Sequence, residues 1–187
     1  LLRDTRTLTV TPLAEDPFHY AYDWHFHFEA LVPEVVCDAD KQWGNYAGLG
    51  IRFARGSANT VMNAEGEQDW PENWNDPDRY ESRWTAYAVS LDGLPSRACH
   101  SNWGGVALFD HPSNPRHPTP WLTYDQINMQ KIMAAFLKKE PYVFRQGEQL
   151  DLRYRAVPFR GQPKHVDLEA QWQAWAGSPI LQPLAIG

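Results

Sequence analysis

Three features of this sequence predict an all-β protein, an antiparallel β-sandwich with one short helix. Tyr20 to Leu31 alternates apolar and polar residues without a break, the pattern of a strand with one buried and one wet face. Further runs of strand length follow at short spacing, separated by Gly, Pro and Asn/Asp turn signals. Helical spacing is clearest over a single stretch, Gln126 to Lys139. Many short strands divided by turns favour a sandwich or barrel-like fold.

In chain order, Thr5 to Thr11 reads as the first strand, with Leu8 and Val10 alternating with threonines. In the second strand Tyr22, Trp24, Phe26, Phe28 and Ala30 share the apolar face; Asp23, His25, His27 and Glu29 share the polar one. Ala47 to Ala54 repeats the pattern, with Leu49, Ile51 and Phe53 against Gly48, Gly50 and Arg52. Glycines in such a strand let a backbone or a ligand come close. Met62 to Ser82 is polar and turn-rich, a length of loop that suits a lid or binding rim. Arg83 to Leu91 is a strand closed by a hairpin signal at Asp92-Gly93, and Gly104 to Phe109 is the next. Gln126 to Lys139 sets Ile132, Met133, Phe136 and Leu137 at helical spacing and ends on Lys138 and Lys139, which predicts the one helix. Tyr142 to Phe144 runs into a turn at Gln146-Gly147. Gln149 to Val157 is a strand with Leu150, Leu152, Tyr154 and Ala156 facing inward. Val166 to Trp175 reads as a last strand or a short helix.

The chain has 187 residues, enough for one domain spanning 1–187 with a full core. A net charge of -6 argues against general nucleic-acid binding, which wants a basic stripe. No apolar run approaches a membrane span. There is no signal peptide, so a cytoplasmic location is expected, and the start at Leu1 without Met reads as a piece of a longer chain. Cys37 and Cys99 lack metal-ligand spacing; a disulfide between them is an open alternative. Dinucleotide, P-loop and nucleophile-elbow motifs are missing, so no cofactor is expected.

The richest stretch for function is Gly104 to Trp121. After its strand it enters a loop stiffened by Pro112, Pro115, Pro118 and Pro120. That loop carries Asp110, His111, Asn114, Arg116 and His117 and ends on Trp121. Charged groups on a rigid scaffold suit a preorganised site; the bland alternative is a solvated sheet edge. Asp110 beside His111 could do acid–base work, and Arg116 could hold an anion or a hydroxyl. His25, His27 and Glu29 project from one strand face and could bind a sugar or, as an alternative, ligate a divalent metal. Arg52 between glycines could reach into a cleft and make bidentate contacts, or be an ordinary surface arginine. Nine tryptophans, with Trp43, Trp70, Trp74, Trp103 and Trp121 in or beside polar loops, offer flat surfaces that suit sugar rings.

Tyr46-Ala47-Gly48-Leu49-Gly50-Ile51-Arg52-Phe53, Arg83-Trp84, Gly105 to Trp121 and Gly147-Glu148 together resemble a bacterial domain family labelled methane oxygenase PmoA. The resemblance runs from about Thr5 to Gly161, and Asp110-His111-Pro112-Ser113-Asn114-Pro115 is its most specific block. Members often accompany sugar oxidoreductases and other carbohydrate-catabolic proteins. The resemblance therefore implies a role on a sugar or keto-sugar and a supersandwich similar to the galactose-mutarotase group, with a polar sheet face holding the ligand. The label's copper and membrane do not carry over, since this chain has no hydrophobic span. A His-rich upstream segment usual in the family is missing, so a second chain or preceding segment is expected to complete the domain. The carry-over rests on Arg52, Asp110, His111, Asn114 and Trp121.

The leading expectation is a carbohydrate-active enzyme of epimerase, lyase or hydrolase type. His111, Asp110 and Arg52 would be catalytic, while His25, His27, Asn114, Arg116, His117 and Trp121 would bind substrate. No metal or membrane is required. The alternatives are a carbohydrate-binding or interaction subunit without catalysis, and a metal enzyme using His25, His27 and Glu29.

Overall fold

The computed structural model describes residues 1–13, 19–39, 47–54, 56–68, 81–90, 102–126 and 129–179. The described chain is almost wholly antiparallel β-structure with a single α-helix. Its strands are β1 (Leu2–Pro12), β2 (Tyr20–Ala30), β3 (Glu34–Cys37), β4 (Gly50–Arg52), β5 (Asn59–Asn63) and β6 (Gly66–Gln68), then β7 (Trp84–Ser90), β8 (Trp103–Asp110), β9 (Trp121–Gln126), β10 (Met129–Ala134), β11 (Tyr142–Arg145) and β12 (Gln149–Arg160). The helix α1 (Leu168–Ala176) follows a short 3-10 turn. A seven-stranded sheet has the order β1-β2-β12-β8-β7-β5-β6; smaller sheets are β4-β10-β9 and β11-β3.

The alternation in β2 and β12 does what its period demands. Phe26, Phe28, Leu150, Leu152, Tyr154 and Ala156 point to one side and meet Trp121, Ile132, Ala134 and Phe144 from the smaller sheets in the main core. Leu49, Ile51 and Phe53 join the same core, as their spacing predicts. The other side of the large sheet holds a second core, in which Ala86, Ala107, Phe109, Val157 and Phe159 pack beneath Leu168, Trp172 and Trp175 of α1. The helix covers only part of that side. The stretch of β1, β2 and β12 beyond it carries polar rows: Arg3, Thr5, Thr7 and Thr9; Glu29, His27, His25 and Asp23; Gln149, Asp151, Arg153 and Arg155.

One predicted element is wrong. Gln126 to Lys139 is not a helix: it holds the end of β9, β10 and the turns after it. Ile132 faces the main core, while Met133 packs with Leu122 and Tyr124 on the outer side. A strand buried on both faces reads as a continuous apolar run, which short helical spacing imitates. The helix lies instead at Leu168–Ala176, one of the two readings open for that segment. Part of the Met62–Ser82 loop is also ordered strand, in the β5–β6 hairpin, where Gly66 supplies φ 123° at the turn. Asp92-Gly93, Trp43, Trp70 and Trp74 lie outside the described residues, as does Cys99 and any pairing with Cys37. No described helix is long and apolar enough to cross a membrane.

Candidate functional site

The proline-rich loop folds around its own acid. Asp110 ends β8 with 0% of its surface exposed. Its Oδ1 accepts from Asn114 Nδ2 at 2.7 Å, and its Oδ2 from the Thr119 amide at 2.9 Å. His117 Nδ1 lies 2.7 Å from the same Oδ2. Asn114 is equally committed: Nδ2 also donates to the Arg153 carbonyl at 2.8 Å, and Oδ1 accepts the Arg153 amide at 2.7 Å. The asparagine side chain thus continues the sheet ladder beyond β8, pairing the Arg153 amide and sharing the Arg153 carbonyl with the His111 amide.

This geometry revises several expected roles. Asp110 orients His117, not His111. His111 instead accepts the Ser113 amide at Nδ1, 3.0 Å away, with Ser113 Oγ at 2.7 Å. Burial, then the nearby Arg153 charge, pushes the His111 imidazole below its ordinary range. A neutral ring with Nδ1 occupied presents Nε2–H, a donor, so it is poorly set to act as a base. Asn114 has no free amide group for a ligand. Arg116 adopts φ 66°, a left-handed conformation rare for arginine. Its guanidinium donates to the carbonyls of Phe136, Glu140 and Pro141 and lies over the Phe136 and Tyr142 rings. It staples the turn after β10 and does not wait for an anion. Trp121 is 1% exposed in the main core, with Nε1 donating to the Ser82 carbonyl at 2.7 Å, so it is no stacking platform.

Two tryptophans with no assigned role in the sequence stand over the loop. Trp172 Nε1 donates to the Asp110 carbonyl at 3.0 Å, and its ring lies parallel to His117. Trp175 covers the Arg155 guanidinium and meets the His111 ring edge-on. Asp167 caps their helix by accepting the Ala170 amide. Glu169 anchors it by accepting from Arg83 Nε and Trp84 Nε1. Burial alone would raise the Glu169 carboxyl, but the Trp84, Arg83 and Gln173 hydrogen bonds outweigh it and hold the acid below its ordinary range.

The accessible polar chemistry lies beyond the helix. His25 Nε2 is 2.5 Å and His27 Nδ1 3.1 Å from the same oxygen, Asp151 Oδ1. The three side chains keep 24%, 30% and 44% of their surface exposed, so a ligand can reach them. Burial tends to raise the Asp151 carboxyl, yet the hydrogen bonds from His25 and His27 outweigh it and keep the acid ionised below its usual range. An ionised acid favours the tautomers with the proton toward Asp151, which leaves His25 Nδ1 and His27 Nε2 as the nitrogens it does not engage. Arg153 sits across the ladder from His25. It is half-buried, and its guanidinium makes no hydrogen bond or ion pair among the described residues. Arg155 is held bidentately by Asp23 at 2.6 and 2.7 Å.

Glu29 is bound to Arg3 at 2.6 Å instead of joining the histidines. Among the described residues no three His, Cys, Asp or Glu side chains are grouped to hold a metal ion. Arg52 does line a cleft with Gly48 and Gly50, but on the outer face of the small β4-β10-β9 sheet. The main core lies between it and the His25/His27 face, so the two do not share a site. Sequence reasoning missed Asp151 and Arg153. Their signal was present: Asp151, Arg153 and Arg155 alternate on β12 as Asp23, His25 and His27 do on β2.

The fold and the exposed polar floor define an antiparallel β-sandwich protein with a His–Asp–His group on an open sheet face. The chain belongs to DUF6807, a family of unknown function whose model matches residues 1–173. Comparison with the curated proteins and with the solved structures gives no match.

Proposed function

We infer that the protein binds a carbohydrate-type molecule on the open half of its large sheet and moves a proton on it, as an epimerase or lyase does. The observation that carries this reading is the convergence of His25 and His27 on one Asp151 oxygen. It leaves a second nitrogen on each partly exposed ring, His25 Nδ1 and His27 Nε2, that Asp151 does not engage, a suitable pair for removing and returning a proton. Arg153, beside His25, has its donor fork available for a carbonyl or carboxylate of the substrate. Trp175 offers a half-buried flat wall at the helix end of the same floor. The substrate class that fits is a sugar or keto-sugar bearing an oxidised carbon, whose acidified C–H is the one to exchange.

The test is solvent exchange. Aldoses, ketoses and sugar acids are incubated with the protein in deuterated water, and loss of C–H signal is followed by proton NMR. One class should exchange, and His25→Gln or His27→Gln should slow it by roughly a hundredfold or more. His111→Gln should exchange at near the wild-type rate. Full activity in both floor variants would refute the assignment. A second reading, binding without catalysis, is favoured by the openness of the floor. It predicts sugar binding that needs Trp175 and no exchange in any substrate.

A further inference from the structure

The outer face of the small sheet carries a pair of cations that the polar floor does not explain. Arg52 on β4 and Lys131 on β10 are cross-strand partners, so their side chains leave the sheet together. With Ala47, Gly48, Gly50 and Met133 they line a hollow of about 460 Å³, within the range of small-molecule sites. Gly50 leaves room beside the lysine, while Gly48 lets its backbone lie close against β10. A Cβ on Gly50 would lie 3.0 Å from Lys131 Cε and 3.4 Å from Met133 Cβ. Gly48 combines φ 116° with a position where a Cβ would meet the Ala134 carbonyl oxygen at 2.0 Å. Arg52 makes no side-chain hydrogen bond or ion pair among the described residues, so its planar donor fork faces the hollow uncommitted.

Two like charges leaving neighbouring strands on the same face repel, and the ammonium feels it. Burial, and then the Arg52 charge, bring Lys131 down to about 8. An anion placed beside the uncommitted Arg52 fork would meet a planar donor pair and a neighbouring point charge at once. We propose that this hollow binds the oxyanion group of a small molecule, a phosphate or a carboxylate, between the Arg52 guanidinium and the Lys131 ammonium. The apolar remainder, Ala47 and Met133, would carry the organic part of the ligand. This site lies on the opposite side of the main core from His25 and His27, so it stands or falls independently of the proposed chemistry there.

The experiment is calorimetric titration at pH 7, supported by thermal melting. The probes are inorganic phosphate, glycerol phosphate and malonate, against chloride at matched ionic strength. At least one oxyanion should bind and raise the melting temperature beyond the chloride control. Phosphates alone would identify a phosphorylated ligand, malonate alone a carboxylic acid, and both a general oxyanion site. Arg52→Gln and Lys131→Met should each weaken that binding tenfold or more, with unchanged far-ultraviolet circular dichroism. His27→Gln should leave it intact. If no oxyanion exceeds chloride, or if Arg52→Gln binds as tightly as wild type, the proposal is overturned. Arg52 is exposed and costs little to replace, so this arm remains decisive even if Lys131→Met fails to fold.

Discussion

Asp110→Asn separates a structural acid from a catalytic one. The substitution keeps shape and removes one acceptor. Thr119 donates a backbone amide to Oδ2, and that donor cannot be reversed. The new amide must therefore turn its oxygen toward Thr119 and its nitrogen toward Asn114. Asn114 cannot flip to receive it, because its Oδ1 already accepts the Arg153 amide. Two NH₂ groups then face each other where a 2.7 Å hydrogen bond stood. Losing a charge-assisted bond costs about 2 kcal/mol, and burying an unmatched donor adds about 1–3 kcal/mol. The total, about 4 kcal/mol, is a large fraction of an ordinary domain's stability. With a urea slope of about 2 kcal/mol/M, the denaturation midpoint should fall by about 2 M. Parallel urea curves by tryptophan fluorescence would measure it. A midpoint within about 0.5 M of wild type, roughly 1 kcal/mol, combined with lost turnover, would show that the acid works on substrate and that this account of the loop is mistaken.

Other substitutions test the same structure. Gly48→Ala should cost about 3 kcal/mol through its left-handed backbone and the Ala134 carbonyl in its way, read as a drop in melting temperature. Arg116→Lys keeps the charge but cannot reach the carbonyls of Phe136, Glu140 and Pro141 together; a loss of about 2 kcal/mol is expected in urea. Trp121→Phe leaves the Ser82 carbonyl without its donor and should cost about 2 kcal/mol, while the sugar binding proposed for the His25/His27 floor, measured by calorimetry, should not change. The His111 imidazole sits below its ordinary range, so the unfolded chain binds the extra proton first. Its contribution is complete above about pH 6.5 and is lost as pH falls below that value. Urea midpoints taken from pH 7.5 down to 5 should therefore decline less steeply in His111→Gln, and parallel profiles would count against a buried neutral ring. Asp151, also held low, acts in the same direction but only as pH falls through the carboxylate range.

The strand alternation was enough to assign faces. Tyr20 to Leu31 and Gln149 to Val157 show by period which side chains share a face, and Phe26, Phe28, Leu150, Leu152, Tyr154 and Ala156 do enter the main core, although Trp24 on the same face joins no core cluster among the described residues; the Gly48/Gly50/Arg52 face was separable from Leu49/Ile51/Phe53 in the same way. That works because a residue's side of a strand is a local property of a pleated backbone. The same local reading failed at Gln126 to Lys139, where apolar residues on both faces erased the alternation. Partnership was beyond its reach. That His27 stands opposite Asp151 depends on register between strands far apart in sequence, that Trp121 is enclosed depends on how the sheets pack, and that His117 and not His111 meets Asp110 depends on how one loop folds over its own acid. Such pairings are decided by how the sheets close over a shared core, which a linear pattern records for neither partner alone.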